Sequence, residues 1–486
     1  MTMRIPEKGA SEADPFAAMQ DFRSGDLPWR EGRVFGYTFD GGLAVEKVAK
    51  RAFSEFLSEN ALDPTVFPSL LRFENEIVSM AANHLRGDQD VVGNFSSGGT
   101  ESIILALKSA RDHARVTHPE VKNPKMLLPV TAHAAFHKAA HYLGVEVLPL
   151  PVNKQTFKAD MDAARELMND DVILIVGSSP SYAHGVVDPI VELAALAKER
   201  GVWMHVDACI GGFLLPYFRK LGHEVPDFDF TVDGVSSISM DLHKYAYCPK
   251  GASVVLYRNS DLRKHQLFAT SHWTGYTIVN TTIQSSKSGG PLAAAWAVLR
   301  FLGEEGYLDL TRRIKQTTDA LVEGIEAIDG LRLLAQPEMS LISFVSDDVN
   351  LFQLADLMRE RGWYVQPQLS FEDYPANIHL SVDPGNHGFE EPFLSALADA
   401  ARAARANPKT DLPALAAQVS GFFGAMPPEA ITEDVMAKML GLAGVSGQGL
   451  PHEMAEVNTV LDSLPPSIRE RLLTLFVNDL FVQSGD

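Results

Sequence analysis

Val172-Ile173-Leu174-Ile175-Val176-Gly177-Ser178-Ser179 and Val202-Trp203-Met204-His205-Val206-Asp207-Ala208 flank a stretch, 187–200, in which apolar residues recur at helical spacing. Both runs are apolar almost throughout, without the alternation of a strand that faces water on one side. Two such strands joined by a helix read as a parallel β-α-β crossover buried on both faces. The pattern repeats outward, in LLPV at 127–130, VEVLPLPV at 145–152 and ASVVLY at 252–257, with a second helical stretch over 100–114. The expected fold class is therefore α/β, a mostly parallel sheet with helices on both faces.

The same reading divides the chain. An arm over 1–70, where Pro, Gly and Asp are scattered, precedes a large unit over 71–310. A smaller α+β unit follows over 311–408, with apolar runs near 331–345 and 376–382 and helical stretches near 350–361 and 388–405. Residues 409–486 form a helical extension punctuated by MPPEA, GVSGQGLPHE and SLPPS. No internal repeat is present.

The balance of 62 acidic and 42 basic residues gives a net charge of −20. Such a surface repels nucleic acid and anionic membranes, and neither is expected as a partner. Cys209 and Cys248 are the two cysteines, too few and too far apart for a disulfide framework or a zinc site. No metal is expected. No apolar run approaches the roughly 20 residues that cross a bilayer, and the first residues do not resemble a signal peptide, so the expected location is cytoplasmic.

Chemistry concentrates where strands end. Asp207 closes an apolar strand, where a carboxylate is costly unless a cation meets it. Lys244 ends the stretch Ser239-Met240-Asp241-Leu242-His243-Lys244. A lysine that holds an aldehyde and an acid that keeps a pyridine nitrogen protonated are what pyridoxal phosphate requires of a protein. Ser97-Gly98-Gly99-Thr100-Glu101-Ser102 opens the helix at 100–114, and its glycines let free N–H groups at the helix start approach a phosphate. A nucleotide loop is not expected, because the lysine of GxxxxGK[ST] is missing. His133 follows the strand at 127–130 and could stack on a pyridine ring. His184 follows the next strand, and Ser178 and Ser179 are placed to bond the ring oxygen. Taken singly, each is more often structural: a capped helix start, a core histidine, a turn-capping aspartate or a solvated lysine. Their joint order gives the site its specificity.

Ser97 to Ser102, His133-Ala134-Ala135-Phe136, His184-Gly185-Val186-Val187-Asp188-Pro189, His205 to Phe213, and His243-Lys244-Tyr245 with Pro249-Lys250-Gly251 together resemble the sphingosine-1-phosphate lyase family. The resemblance covers about residues 30 to 405. It implies the fold-type I architecture of pyridoxal phosphate enzymes, with a seven-stranded sheet and a smaller C-terminal domain. By the resemblance, Lys244 is the Schiff-base lysine, Asp207 the pyridinium partner and His133 the stacking group. Gly98, Gly99, Thr100 and His243 hold the phosphate, and Lys250 and His184 line the substrate side with catalytic roles. Ser286-Lys287-Ser288-Gly289-Gly290 resembles a segment that reaches the neighbouring subunit's cofactor, which implies a homodimer with shared sites.

Two departures bear on the substrate, an amine that in the family is a phosphorylated amino alcohol. Phe35 and Asp63 stand where the family carries Tyr and His ligands of the substrate phosphate; Phe35 removes a donor and Asp63 adds repulsion. Lys287 in place of Arg also gives up a bidentate fork, and Tyr37 or Arg33 are the available replacements. The expected activity is carbon–carbon cleavage to a fatty aldehyde and phosphoethanolamine. An amino-acid decarboxylase on the same scaffold is the rival reading, and a non-catalytic binding homologue is a third.

Overall fold

The computed structural model describes residues 4–409, 411–423, 426–442 and 453–481. Seven strands, β1 Val92–Ser96, β2 Lys125–Pro129, β3 Glu146–Leu150, β4 Val172–Ser178, β5 Trp203–Asp207, β6 Ser237–Asp241 and β7 Ser253–Tyr257, form one sheet in the order β1-β7-β6-β5-β4-β2-β3. Only the pairings of β7 with β1 and β6 are antiparallel. Strands β1, β2, β4, β5 and β6 therefore all end at one edge of the sheet.

The apolar runs explain β4, β5 and β7, every residue of which is buried. Side chains alternate across them. Met126, Leu128, Leu174 and Val176 pack on one face with the helices Gly99–Thr117 and Ala135–Leu143. Leu127 and Ile175 pack on the other with the helix Ile190–Arg200. Strands β1 and β6 carry Gly, Asn, Ser and Asp, so apolar runs do not mark them. Their polar groups are paired: Trp203 Nε1 donates to Ser237 Oγ at 2.8 Å, and Asn94 Nδ2 donates to Glu74 Oε1 at 2.9 Å.

A short hairpin, β8 Phe268–Thr270 and β9 Ile278–Asn280, precedes the helix Gly289–Glu326, which bends at Gly303, where φ is +55°. This helix runs from the large sheet to a second, antiparallel one. The second sheet contains β10 Leu331–Leu333, β11 Leu341–Ser346, β12 Gln366–Gln368 and β13 Asn377–Ser381, in the order β10-β11-β13-β12. Leu256 of β7 and Phe344 of β11 belong to one apolar core, so the two sheets share their packing.

The helices Leu412–Phe423, Glu433–Leu442, Ala455–Asp462 and Pro466–Leu480 gather a separate core that includes Val419, Met439, Ile468 and Leu472. Asp356 joins this unit to the rest by accepting the N–H groups of Met454 and Ala455 at 2.9 and 2.8 Å. At the other terminus the helix Leu43–Glu55 packs along Gly289–Glu326, while the helix Ala13–Phe22 buries no residue. Among the described residues no helix is long and apolar enough to cross a membrane.

Candidate active site

The carboxyl edge of the large sheet opens into a cavity of about 570 Å³. Strands β1, β2, β4, β5 and β6 each contribute. After β1 the chain turns through Gly98, with φ +153°, into the helix beginning at Gly99. A Cβ at Gly99 would lie 2.8 Å from Asp241 Oδ2 and 2.9 Å from Cys209 Sγ, so only glycine lets this turn sit against β6. Its first N–H groups have no partner within the helix and form an anion seat.

His133 follows β2, its Nδ1 accepting the Ala135 N–H at 3.1 Å. Ser178 ends β4, and its Oγ is buried without a protein partner. Asp207 ends β5; its Oδ1 accepts the Cys209 N–H at 3.0 Å and the Ser239 hydroxyl at 3.3 Å. Beneath it His205 is fully buried between Ser237 and Ser239, at 2.8 and 3.2 Å, and burial pushes its pKa down to about 4. A neutral ring therefore lies beneath the carboxylate.

Lys244 follows β6, with Nζ 3.1 Å from Asp241 Oδ2, and His243 Nε2 lies 3.5 Å from the same oxygen. Burial opposes both charges of the Lys244–Asp241 pair, but the surrounding charges and hydrogen bonds together outweigh it. Lys244 stands above its ordinary pKa and Asp241 below its own. Lys250 donates to the His243 carbonyl at 3.2 Å, and its Nζ lies 4.9 Å from the centre of the Phe39 ring. Burial, then the charge of Lys244, holds Lys250 below the usual lysine range.

The cavity thus gathers Gly98, Gly99, Thr100, His133, Ser178, Asp207, His243, Lys244 and Lys250. Four other expected site residues lie elsewhere in the chain. Phe35 is buried in the apolar core, its ring 4.6 Å from Phe393, and its N–H donates to the Tyr364 carbonyl. A positive φ of 62° at Tyr37 redirects the segment beyond Phe35. Tyr37 and Phe39, not Phe35, reach the cavity wall. His184 is buried against Phe157, with ring centres 4.3 Å apart, and is outside the lining. Asp63 is an exposed turn residue accepting the Thr65 N–H at 2.8 Å, and Ser286 is likewise exposed.

Tyr182, Asp241, Gln366 and Ser381 also line the cavity. Tyr182 donates to Gln366 Oε1 at 2.7 Å, which ties the loop after β4 to the second sheet. Asp241 stands within the quoted lysine stretch and was the one accessible signal, since a second acid three residues before Lys244 had no assigned partner. Gln366 and Ser381 come from short strands whose side chains carry no motif.

The observations fit pyridoxal phosphate: an anion seat, an unpartnered Ser178 hydroxyl, an unpartnered Asp241 Oδ1, and opposed Asp207 and Lys244 around one cavity. Comparison with known proteins agrees. Residues 29–346 match the "Pyridoxal-dependent decarboxylase conserved domain", and residues 413–479 match the "Pyridoxal-dependent enzyme, C-terminal putative HTH domain". The chain is 38% identical to a sphingosine-1-phosphate lyase of Arabidopsis thaliana over 90% of its own length and 80% of the relative's. It is 30% identical to a probable L-aspartate decarboxylase of Pyrococcus furiosus, over 79% of this chain and all of that one. The solved sphingosine-1-phosphate lyase of Burkholderia pseudomallei superposes with a TM-score of 0.80 at 34% identity, covering 88% of this chain and 98% of the other. The chain belongs to the pyridoxal phosphate-dependent sphingosine-1-phosphate lyase family, on the decarboxylase fold.

Proposed function

We propose that this chain cleaves a phosphorylated long-chain amino alcohol into a fatty aldehyde and phosphoethanolamine. The observation that carries the reading is the 38% identity to a lyase over four-fifths of its length, joined to a cavity in which Lys244, Asp207 and His133 converge. Pyridoxal phosphate, when bound, supplies the sink for the electron pair released as the Cα–Cβ bond breaks.

The residues around it divide the remaining work. Lys244 would hold the cofactor through its aldehyde, and its amine, placed beside the reacting carbon, would be the group to return a proton to Cα. Asp207 keeps the pyridine nitrogen protonated, and His133 covers one ring face. Gly98, Gly99, Thr100 and His243 hold the phosphate, and Ser178 bonds the ring oxygen. Lys250 takes the proton from the 3-hydroxyl; its lowered pKa makes the neutral amine more available as a base. The C–O bond then becomes the aldehyde carbonyl as the C–C bond breaks.

The reading includes a homodimer in which Ser286 and Asp63 are offered to the neighbour's site. Their exposure in the single chain supports this, as does their common surface: the Ala61 N–H donates to the Lys287 carbonyl at 2.8 Å. The buried free thiols of Cys209 and Cys248 suit a reducing cytoplasm. The test is product analysis by mass spectrometry after incubating the pyridoxal phosphate-loaded protein with sphinganine 1-phosphate, with Lys244→Ala as control. Aldehyde and phosphoethanolamine from the wild type alone are expected. A cofactor-loaded protein that yields neither would overturn the substrate and favour the decarboxylase.

A further inference from the structure

Glu101 is the third residue of the helix Gly99–Thr117 and is 7% exposed. An acid at this position commonly turns back on its own helix start, where it satisfies the free N–H groups. Here that would place a negative charge in competition with the cofactor phosphate. Glu101 turns back one residue further, past the N-cap, and also reaches away from the helix. Its Oε2 accepts the N–H of Ser97, before the N-cap Gly98, at 2.6 Å. Its Oε1 accepts the N–H groups of Ile283 and Gln284, at 2.9 and 3.3 Å.

One buried carboxylate therefore fastens the phosphate turn to a segment remote in sequence. That segment is held again a few residues later. Lys287 N–H donates to Asn60 Oδ1 at 3.2 Å, and Gly289 N–H donates to the Glu59 carbonyl at 2.7 Å. Residues 283–289 thus stretch between the cofactor turn of their own chain and the loop that carries Asp63. This is the same surface assigned above to the neighbouring subunit.

We propose that Glu101 is a positioning residue that couples cofactor seating in its own chain to the placement of residues 283–289 for the neighbour's site. The inference rests on the cofactor and dimer reading given above. Occupying the phosphate turn fixes Ser97, Ser97 fixes the Glu101 carboxylate, and the carboxylate fixes Ile283 and Gln284. Glu101→Gln is nearly isosteric but turns one acceptor into a donor that faces an N–H, which breaks one side of the link.

The test is hydrogen exchange on the full chain, with and without pyridoxal phosphate. In the wild type the cofactor slows exchange in peptides covering 281–289 as well as at 96–102. In Glu101→Gln the effect at 281–289 disappears while the melting temperature is retained, and the cofactor Kd rises about ten-fold, the worth of one hydrogen bond to a charged group. The wild-type measurement stands even if the variant folds poorly. Slowed exchange at 96–102 with none at 281–289 would overturn the coupling alone. A wild type that takes up no pyridoxal phosphate would overturn both the coupling and the cofactor reading.

Discussion

The cofactor side and the substrate side of the cavity are built differently. The groups that the family resemblance assigns to the cofactor within its own chain, from Gly98 through Asp207 to Lys244, line one cavity at the edge of a buried sheet, while Ser179, beside Ser178, stays out of its wall. On the substrate side, Lys250 reaches the cavity, but Phe35 lies in the core, His184 packs on Phe157 and Asp63 is on the surface. Within the single chain the cofactor groups are gathered at one cavity, and most of the groups expected to meet the substrate are not. Enzymes that share a scaffold and differ in the bond they break follow from this division.

Substitutions on the two sides should separate accordingly. Lys244→Ala removes both the cofactor anchor and the returning proton, and should lower turnover by about 10⁴-fold or more. Asp207→Asn keeps the shape and loses the charge opposite the ring nitrogen. A fall of about 10²-fold in kcat is expected, the value of a charge-assisted buried hydrogen bond; equal kcat in steady-state assays would contradict its role.

A paired substitution sharpens the boundary. Phe39→Tyr places a hydroxyl at the cavity wall and should shift KM several-fold, about 1 kcal/mol, with little change in stability. Phe35→Tyr buries a hydroxyl beside Phe393 and should cost about 1–3 kcal/mol in urea unfolding while leaving KM unchanged. The reverse pattern would return Phe35 to the substrate side.

The last effect is on stability alone and concerns His184, which burial pushes down to a pKa of about 4. It is neutral in the fold and takes up a proton in the unfolded chain below about pH 6.5. Its contribution is therefore fully present above pH 6.5 and is lost as the pH falls through 4. His184→Phe should recover up to about 3 kcal/mol at pH 4 relative to pH 7.5, with KM unaltered. A changed KM would restore His184 to the substrate side.

Much of this was legible in the sequence, for physical reasons that differ by region. Strands buried on both faces are continuous apolar runs, so β4 and β5 announce themselves, and the residues at their ends, Ser178 and Asp207, follow. Strands β1 and β6 carry Ser, Asn and Asp groups whose partners, such as Glu74 and Trp203, lie on other elements, and these strands hide from any apolar pattern. Phe35 lies in the core while Tyr37 and Phe39 line the cavity, a placement that the residue types around it do not reveal. Glu101 was quoted within its motif without a task, since its partners Ile283 and Gln284 are near only in the fold.

The division between the two sides is tested most directly by mixing two inactive chains. Lys244→Ala retains an intact 283–289 segment, and Ser286→Trp retains Lys244 but spoils the segment it would offer. The account predicts that each homodimer is inactive and that co-refolded mixtures recover about a quarter of wild-type cleavage, because half the dimers are hybrids with one complete site. Mixtures as inactive as the separate chains, or full activity in Ser286→Trp alone, would contradict it.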